Sequence, residues 1–254
     1  MSYAPQPVAA TTLDILYQDK RLVAVHKPAG LLSHRSTLDR HASDFALQRV
    51  RNQIGQRVHL VHRLDRGTSG VLLFALDEAA ARHLGHQFAA GQVHKRYLAV
   101  VRGHPAEHGE IDHPLSRRRD AYETSAPDCS QTPQAALTRY RRLATVELPV
   151  AVDRYPTSRY ALMLLEPLTG RRHQLRRHMQ HIGHPIIGDA TYGKGVHNRF
   201  FQRQFGVRRL LLACLAMQVR HPDDERPIRL AAPLAPEFAQ LVQTLGWSLP
   251  DLAR

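Results

Sequence analysis

Short apolar runs and segments of helical periodicity alternate along most of the chain. Runs rich in valine, leucine and isoleucine predict buried strands, and apolar residues that recur every three or four positions predict amphipathic helices. The predicted strands lie at 22–25, 71–76, 95–101, 160–165, 210–219 and 227–231, and the predicted helices at 44–54, 78–90, 174–182 and 236–245. Together these elements predict an α+β fold.

The helix predicted after the strand at 71–76 has clear boundaries. Asp77 is a suitable N-cap, and Gly91 marks the end of the periodic segment. Ala81, Leu84 and Phe88 share one face of this helix, and we interpret all three as core residues. The resulting strand-helix-strand unit brings the loop before residue 71 and the start of the next strand toward one cleft.

Two segments have no sustained periodicity and are predicted to be loops. The first, 103–136, contains the run Arg117, Arg118 and Arg119, and either a surface excursion or an RNA-contacting arm fits its composition. The second, 193–209, interleaves basic residues with Phe200, Phe201 and Phe205. Both loops are candidates for selecting the target.

No composition break divides the chain, so the sequence predicts a single domain. We expect this domain to occupy residues 13–250, after a polar tail at 1–12. At 254 residues the chain is long enough to bury a substantial core without disulfides or metal.

The charge balance indicates a polyanionic partner. The chain has 35 Lys and Arg against 22 Asp and Glu, a formal net charge of +13, and 17 histidines. Much of the excess is arginine, whose planar guanidinium matches phosphates and base edges, although a basic surface can also serve solubility alone. Nucleic acid is therefore the predicted partner.

Cysteine usage and hydropathy limit the location of the protein. Cys129 lies in a polar stretch and Cys214 in an apolar run, so a disulfide between them is not expected. No stretch approaches 18 consecutive apolar residues, and the N-terminus does not resemble a secretory signal. We expect a cytoplasmic protein without a membrane span.

The most informative segment is His-Arg-Leu-Asp-Arg-Gly-Thr-Ser-Gly at 62–70. It places the Asp65 carboxylate between two guanidiniums, on a turn that opens into the strand at 71–76. Positive neighbours favour the ionised carboxylate, and a turn fixes its direction, so Asp65 is a candidate nucleophile. An aspartate that only caps the turn remains the alternative.

A second basic segment, Gly-Arg-Arg-His-Gln-Leu-Arg-Arg-His at 170–178, begins on a turn and enters a helix. The N-terminal N–H groups of a helix favour anions. A fold that brings Arg176 to Asp65 would orient the carboxylate, while Leu175 and Tyr97 would supply an apolar wall and an aromatic face. These residues together predict a slot for a planar base.

Three further motifs accompany these two: Lys-Pro-Ala-Gly at 27–30, Lys-Arg-Tyr at 95–97 and Gly-His-Pro-Ile-Ile-Gly-Asp at 183–189. Together the motifs resemble those of the RluA family of RNA pseudouridine synthases, and the resemblance covers nearly the whole chain. The resemblance implies a single catalytic domain with a mixed, mostly antiparallel sheet flanked by helices and loops around a basic cleft. It implies no cofactor and no metal. From the sequence itself we expect no S4-like domain ahead of the catalytic domain.

Several details resemble the branch of this family that modifies uridine 65 of tRNA. They are the segments 143–150 and 154–160, Arg66 after the aspartate, and Arg-Arg-His-Gln at 171–174, where the family usually has Arg-Thr-His-Gln. A 23S rRNA target within the same family is the alternative. We expect an RNA substrate, no obligatory protein partner and a monomer.

The resemblance also implies roles for individual residues. Asp65 matches the catalytic nucleophile, Tyr97 the tyrosine that stacks on the base, Arg176 the arginine paired with the aspartate, and Leu175 the packing residue. Tyr97 is also a candidate for the base, or the proton relay, that acts at C5 of the uracil. The remaining residues assigned to substrate binding are Arg63, which matches the arginine that fills the gap left by a flipped base, and His62, Arg66, Lys95, Arg171, Arg172, His173 and Gln174.

Two other functions remain open at this point. His173, His178, His181 and His184 crowd one segment and could form a metal site, although no acidic residue stands among them to act as a base. A non-catalytic RNA-binding protein would need the same positive charge but not Asp65.

Overall fold

The computed structural model describes residues 12–34, 44–116 and 132–249. Within these ranges the chain forms ten strands and five helices. In chain order they are β1 (Ile15–Gln18), β2 (Leu22–Lys27), α1 (Ala46–Ile54), β3 (His59–Leu60), β4 (Ser69–Ala75), α2 (Glu78–Ala89), β5 (His94–Arg102), β6 (His108–Asp112), β7 (Leu137–Leu148), β8 (Ser158–Pro167), α3 (Gln174–His181), α4 (Gly195–Phe205), β9 (Leu212–Arg220), β10 (Pro227–Ala231) and α5 (Pro236–Thr244).

All ten strands belong to one mixed sheet. Eight of them follow the order β1-β2-β4-β9-β5-β8-β7-β6, with β10 beside β9 and β3 beside β4. All strand pairs are antiparallel except β4 and β9, which run parallel where Ser69 and Gly70 meet Ala213 and Cys214. The predicted α+β class with a mostly antiparallel sheet is confirmed.

The central strands are buried on both faces, which explains their nearly continuous apolar sequences. Successive side chains of a strand point to opposite faces. In β5, Tyr97 and Ala99 join a core cluster that also holds Leu175 of α3. Leu98 and its neighbours on the other face pack in a second cluster with residues of α4 and α5. The sheet therefore separates the helix that carries Arg176 from α4 and α5.

Helix α2 follows the sequence prediction closely. Its N-cap, Asp77, accepts a hydrogen bond from the Ala80 amide at 2.9 Å, and Gly91 adopts a positive φ of 70° just after the helix. Leu84 is buried and Ala81 packs against the core as predicted. Phe88 packs there too, but it also lines a cleft, so its interpretation as a core residue alone is wrong.

The predicted loop at 193–209 is wrong, because most of it forms α4. Phe201 is buried and contacts Tyr160 edge-on at 4.7 Å between ring centroids. Phe200 and Phe205 pack against the same cluster. The helix lacks a side-chain cap and an acidic first turn, so the usual start signals are missing from the sequence. Burial of the phenylalanines against the sheet stabilises a helix that local signals do not announce.

The predicted loop at 103–136 is also partly wrong. Residues 108–112 form β6, which pairs with β7 at the end of the sheet, and a bridge joins Leu115 to Gln134. Only Ile111 of β6 is buried, so the strand carries too weak an alternation to be detected. The arginine run at 117–119 and Cys129 lie outside the described residues, as does nearly all of the predicted tail at 1–12.

Within the part of the chain that the structure describes, none of the helices combines the length and apolarity needed to cross a membrane.

Glycine is required at position 70, where β4 approaches β9. Gly70 has a φ of +112°, and a Cβ atom built there would lie 2.0 Å from the Cys214 carbonyl oxygen. We expect Gly70→Ala to lower the free energy of unfolding by at least about 3 kcal/mol, because it combines a clash with backbone strain. Urea unfolding measures the loss.

The matched control is Gly85→Ala in α2, where a Cβ atom would meet nothing within 4 Å. This change should stabilise the protein by about 0.5–1 kcal/mol through helix propensity. An unchanged midpoint for Gly70→Ala would contradict the close approach of the two strands.

Candidate active site

A cleft of about 720 Å³ lies on the α3 side of the sheet, where the loop before β4 faces the start of α3. Eleven of the twelve predicted site residues line it, although they come from segments more than 100 positions apart. They are His62, Arg63, Asp65, Lys95, Tyr97, Arg171, Arg172, His173, Gln174, Leu175 and Arg176. The structure therefore brings the separate motifs to one place.

Asp65 lies on the turn between β3 and β4. Its carbonyl oxygen accepts a hydrogen bond from the Thr68 amide at 3.0 Å, which closes the turn. Its carboxylate Oδ2 lies 3.2 Å from Nη1 of Arg176 and accepts a hydrogen bond from it. The Asp65 side chain is 24% exposed, so the carboxylate remains accessible to a substrate.

Arg176 is fixed by a second carboxylate, that of Asp189. The Nε and Nη2 atoms of Arg176 donate to the two oxygens of Asp189 at 2.7 and 2.9 Å, which is a bidentate contact. The Asp189 side chain is fully buried, and it also accepts hydrogen bonds from the amides of Thr191 and Tyr192. This arrangement leaves Nη1 of Arg176 directed at Asp65.

The electrostatics of this ion pair follow from its contacts. Burial alone would raise the pKa of Asp189, but the Arg176 guanidinium and the two backbone amides together lower it. Burial opposes the charge on Arg176 as well, yet Asp189 and Asp65 raise the pKa of Arg176 above its usual value. Both groups are therefore ionised at neutral pH.

Asn198 of α4 holds the Asp189 backbone in place. Its side-chain oxygen accepts a hydrogen bond from the Gly188 amide at 2.8 Å, and its side-chain nitrogen donates to the Asp189 carbonyl at 2.9 Å. The helix on the opposite face of the sheet thereby supports the ion pair in the cleft.

His173 has a strained backbone beside Asp65. It is the N-cap of α3 and adopts φ 55° and ψ 24°, a left-handed conformation that is uncommon for a residue other than glycine. Its Nδ1 lies 3.0 Å from the Tyr192 hydroxyl, and its Nε2 lies 3.8 Å from Oδ1 of Asp65. Burial lowers the pKa of His173 despite the nearby carboxylates, which favours the neutral ring at pH 7.

Tyr97 borders the cleft from β5. Its pairing with Cys214 follows a register shift between Arg96 and Tyr97, so a β-bulge sets the direction of the tyrosine. The phenol lies close to the Cys214 thiol, its neighbour across the two strands. Burial raises the pKa of Tyr97 well above 10 and that of Cys214 to about 12, so both groups are neutral.

One wall of the cleft combines aromatic and basic side chains. The His62 ring stacks on Phe88 with 5.1 Å between centroids, and its Nε2 accepts a hydrogen bond from the Leu73 amide. Burial, and then the Lys95 ammonium, lower the pKa of His62 to about 3, so the ring is neutral. Burial also lowers the pKa of Lys95.

The other predicted residues differ in how free they are to bind a ligand. The side-chain amide of Gln174 makes four hydrogen bonds and so braces the start of α3. Its partners are the Thr169 hydroxyl, the backbone N–H of Arg171, the Leu137 carbonyl and the Thr138 hydroxyl. Nε of Arg171 donates to the Ala135 carbonyl. Arg63 is exposed and lines the cleft. Arg172 and Leu175 also line it, with Leu175 buried.

Arg66 is the one predicted residue that does not line the cleft. Its Nε donates to the Gly30 carbonyl, and its own carbonyl accepts hydrogen bonds from the Gly30 amide and from Nζ of Lys27. Lys27 is fully buried and also donates to the carbonyls of Pro28 and Leu31. The turn at 27–30 therefore braces the loop that carries Asp65.

The clustered histidines have separate partners. His178 bonds with Thr138 and the His113 carbonyl, His184 bonds with the Arg102 carbonyl, and His181 stacks on His113. Within residues 12–34, 44–116 and 132–249, no group of three or more His, Cys, Asp or Glu is arranged to hold a metal ion.

Sequence reasoning missed several residues of this site. Asp189 was quoted only as part of a motif, and Phe88, Tyr192 and Asn198 were given no role in the site. For Asp189 a signal exists, because it is the only acidic residue between Glu166 and Asp223, in a stretch rich in arginine. No comparable local signal exists for Asn198, whose partners are backbone atoms.

Comparison with known proteins identifies the family. Residues 21–181 match the family described as RNA pseudouridylate synthase. The chain therefore belongs to this family of RNA-modifying enzymes, and the resemblance to its RluA type is confirmed.

Curated relatives carry a more specific name. The chain is 48% identical over 241 residues to tRNA pseudouridine synthase C of Pasteurella multocida (strain Pm70), covering 95% of this chain and 99% of the relative. It is 46% identical over 235 residues to tRNA pseudouridine synthase C of Vibrio cholerae serotype O1, covering 92% and 96%. A third protein of that name, from Pectobacterium carotovorum, is 48% identical over 256 residues, covering 99% of this chain and 68% of the relative.

Solved structures agree with this membership. Human RNA Pseudouridylate Synthase Domain Containing 4 superposes with a TM-score of 0.71 at 27% identity, covering 94% of this chain and 95% of that chain. Human RNA Pseudouridylate Synthase Domain Containing 1 gives 0.67 at 26% identity, covering 97% and 100%.

The buried ion pair predicts a pH-dependent loss of stability in Asp189→Asn. The variant leaves the Arg176 charge buried without its main partner, which should cost about 3–5 kcal/mol at pH 7. Because the pKa of Asp189 is lowered on folding, its contribution is full above the unfolded value near 3.8 and is lost as pH falls through the folded value. Urea unfolding at a series of pH values measures both effects.

The expected signature is a difference between wild type and variant that is constant near neutrality and shrinks below about pH 4. Asp153→Asn, which removes the exposed ion pair with Lys194, is the control and should leave the midpoint nearly unchanged. A stability difference between wild type and Asp189→Asn that does not shrink down to the lowest pH at which the protein folds would contradict the role of Asp189 as the ionised partner of Arg176.

Proposed function

We propose that this pseudouridine synthase converts uridine 65 of tRNA to pseudouridine, with Asp65 as the catalytic carboxylate. The observation that carries the proposal is the accessible Asp65 carboxylate, held 3.2 Å from an arginine that a buried aspartate fixes. The names of the curated relatives support tRNA as the substrate class. The net charge of +13 favours any RNA.

The chemistry is an isomerisation and needs no co-reactant. The glycosidic bond between N1 and C1′ breaks, the uracil turns within the pocket, and a new bond forms between C5 and C1′. C5 then loses its proton and N1 gains one, so atoms and electrons balance without an oxidant or reductant.

Asp65 serves this reaction through either of two routes. In one, a carboxylate oxygen attacks C1′ as N1 departs. In the other, the carboxylate takes a proton from the sugar to give a glycal-like intermediate. Both routes need an oriented carboxylate, and the hydrogen bond from the Arg176 guanidinium fixes its direction. Fixing the carboxylate before the substrate arrives avoids reorganisation during the reaction.

Tyr97 and Leu175 supply a neutral, largely apolar slot for the detached base. Stacking on an aromatic ring offsets the loss of base stacking in the RNA, and it suits a base that must rotate because it is not directional. The raised pKa of Tyr97 keeps its phenol protonated, so the side chain enters the reaction as a ring and a hydrogen-bond donor rather than as a phenolate.

The first test is release of tritium from C5-labelled uridine in unmodified tRNA, without added cofactor. Wild type should release label, and Asp65→Asn should fall below about one-thousandth of the wild-type rate while still binding tRNA. Asp112→Asn, at an exposed position of β6, is the matched control and should retain wild-type turnover.

Each outcome of this experiment is informative. Release from ribosomal RNA but not from tRNA would overturn the substrate class while preserving the chemistry. Release by Asp65→Asn would overturn the role of the carboxylate. Binding without release from either RNA by the wild type would favour the non-catalytic RNA-binding alternative.

Arg63 is exposed, and we assign it to the gap that a flipped uridine leaves in a helical stem. Base flipping costs a few kcal/mol, least in unpaired RNA. Arg63→Ala should therefore lower kcat/KM about tenfold or more for a uridine in a stem and clearly less for the same uridine in a single strand. Steady-state kinetics on both substrates measure this ratio.

Arg57→Ala removes the same charge from an exposed residue outside the cleft and is the control. Equal losses on paired and unpaired substrates would reject the gap-filling role of Arg63 and leave only a phosphate contact.

A further inference from the structure

Helix α4 directs its aromatic and basic residues to opposite sides. Phe201 is buried, and Phe200 and Phe205 pack against the core. Arg199 and Arg203, one helical turn apart, are exposed, and so is Arg208 three residues beyond the helix. The aromatic residues therefore belong to the fold, and the arginines are exposed to solvent.

These arginines differ from four other exposed arginines of the protein. Arg82, Arg139, Arg159 and Arg226 each form an ion pair with a carboxylate. Among the residues that the structure describes, no carboxylate pairs with Arg199, Arg203 or Arg208. The sequence has no acidic residue between Asp189 and Asp223, so none is close along the chain either.

The arrangement does not serve helix stability. Two positive charges four residues apart repel each other on a helix surface. The helix dipole favours a positive charge in the last turn, where Arg203 lies, but gives no such benefit to Arg199. An anion bound across both side chains would remove this repulsion.

The segment that contains α4 is attached to the candidate active site at both ends. Asn198, next to Arg199, holds the Gly188 and Asp189 backbone beside the Arg176 ion pair. After the helix, Arg209 donates a hydrogen bond to the Ser69 hydroxyl at 2.6 Å, at the end of the loop that carries Asp65. An RNA that contacts the outward side of α4 would therefore contact a segment that also holds residues of the cleft in place.

We propose that the α4 face, formed by Arg199 and Arg203, is a second RNA-binding surface that holds backbone phosphates of the substrate outside the cleft. The proposal rests on the proposed function, which makes RNA the partner. The exposed groups are guanidiniums rather than aromatic rings, so this surface positions the RNA by its phosphates and does not distinguish bases. It binds RNA that extends beyond the nucleotides within the cleft.

The test compares two double variants that remove equal charge. Arg199→Gln with Arg203→Gln alters the α4 face, and glutamine keeps the helix propensity of arginine. Arg82→Gln with Arg229→Gln removes two exposed arginines from α2 and β10. Both pairs are made with Asp65→Asn, so that binding of an unmodified tRNA transcript is measured without turnover at several salt concentrations.

Each phosphate contact contributes about 0.9 to the slope of log affinity against log salt concentration. The α4 pair should lower this slope by about 2 and weaken binding about tenfold at physiological salt, whereas the control pair should keep the wild-type slope. With Asp65 restored, turnover is measured over a range of tRNA concentrations up to saturation. The α4 pair should show a raised KM and an unchanged kcat. Equal urea midpoints verify that both pairs are folded.

A uridine-containing hexanucleotide serves as a probe of binding in the cleft alone, because α4 packs on the opposite face of the sheet. Wild type and the α4 pair should bind it equally. An unchanged tRNA slope, an equal loss in both pairs, or an equal loss on the hexanucleotide would each overturn the second surface. Failure of the proposed function is separate, because it appears as absent tritium release while the binding slopes still decide the role of α4.

Discussion

The candidate active site depends on one guanidinium shared between two carboxylates. Asp189 is fully buried and takes two of the Arg176 nitrogens, while Asp65 receives the third and remains 24% exposed. Burial of an ion pair is costly unless hydrogen bonds satisfy both partners. Here the Asp189 carboxylate also accepts two backbone amides. The buried contact with Asp189 immobilises Arg176. The exposed Asp65 carboxylate, held by the same guanidinium, can therefore act on a substrate.

The distribution of charge around Asp65 follows from burial. His62, His173 and Tyr97 are held in their neutral forms, because each lies where a charge would be poorly solvated. Arg63 and Arg171 are exposed at the border of the same cleft. A neutral interior suits an uncharged pyrimidine, and basic residues around it suit phosphates. The cleft therefore offers different chemistry to the base and to the backbone of an RNA.

The two faces of the sheet contribute to the site in different ways. Helix α3 carries Arg176 and Leu175 into the cleft on one face. Helix α4 packs on the other face, yet Asn198 fixes the turn at 188–189 that positions the Asp189 carboxylate. A change in α4 can therefore reach Asp65 through three successive contacts, from Asn198 to Asp189, to Arg176 and to Asp65, without touching the substrate. Under our proposal, the same helix presents its arginines to the RNA.

Local sequence determined the elements whose signals are local. The apolar runs defined β2, β4 and β8, and Asp77 with Gly91 defined α2, because strand burial and helix capping depend on neighbouring residues. The motifs at 62–70 and 170–178 contain 12 of the 23 residues that line the cleft, and the resemblance to a known family assigned roles to several of them. Composition also indicated nucleic acid as the partner, since net charge does not depend on the fold.

Only the tertiary structure decided what depends on distant contacts. Helix α4 exists because three phenylalanines bury against the sheet, and β6 exists because it pairs with β7, so neither has a strong signal of its own. Arg66 turned toward the turn at 27–30 rather than the cleft because backbone carbonyls there accept its hydrogen bond. Asp189 is part of the site because the buried Arg176 guanidinium requires a buried carboxylate as its partner. Which acid pairs with which arginine is fixed only when the chain has folded.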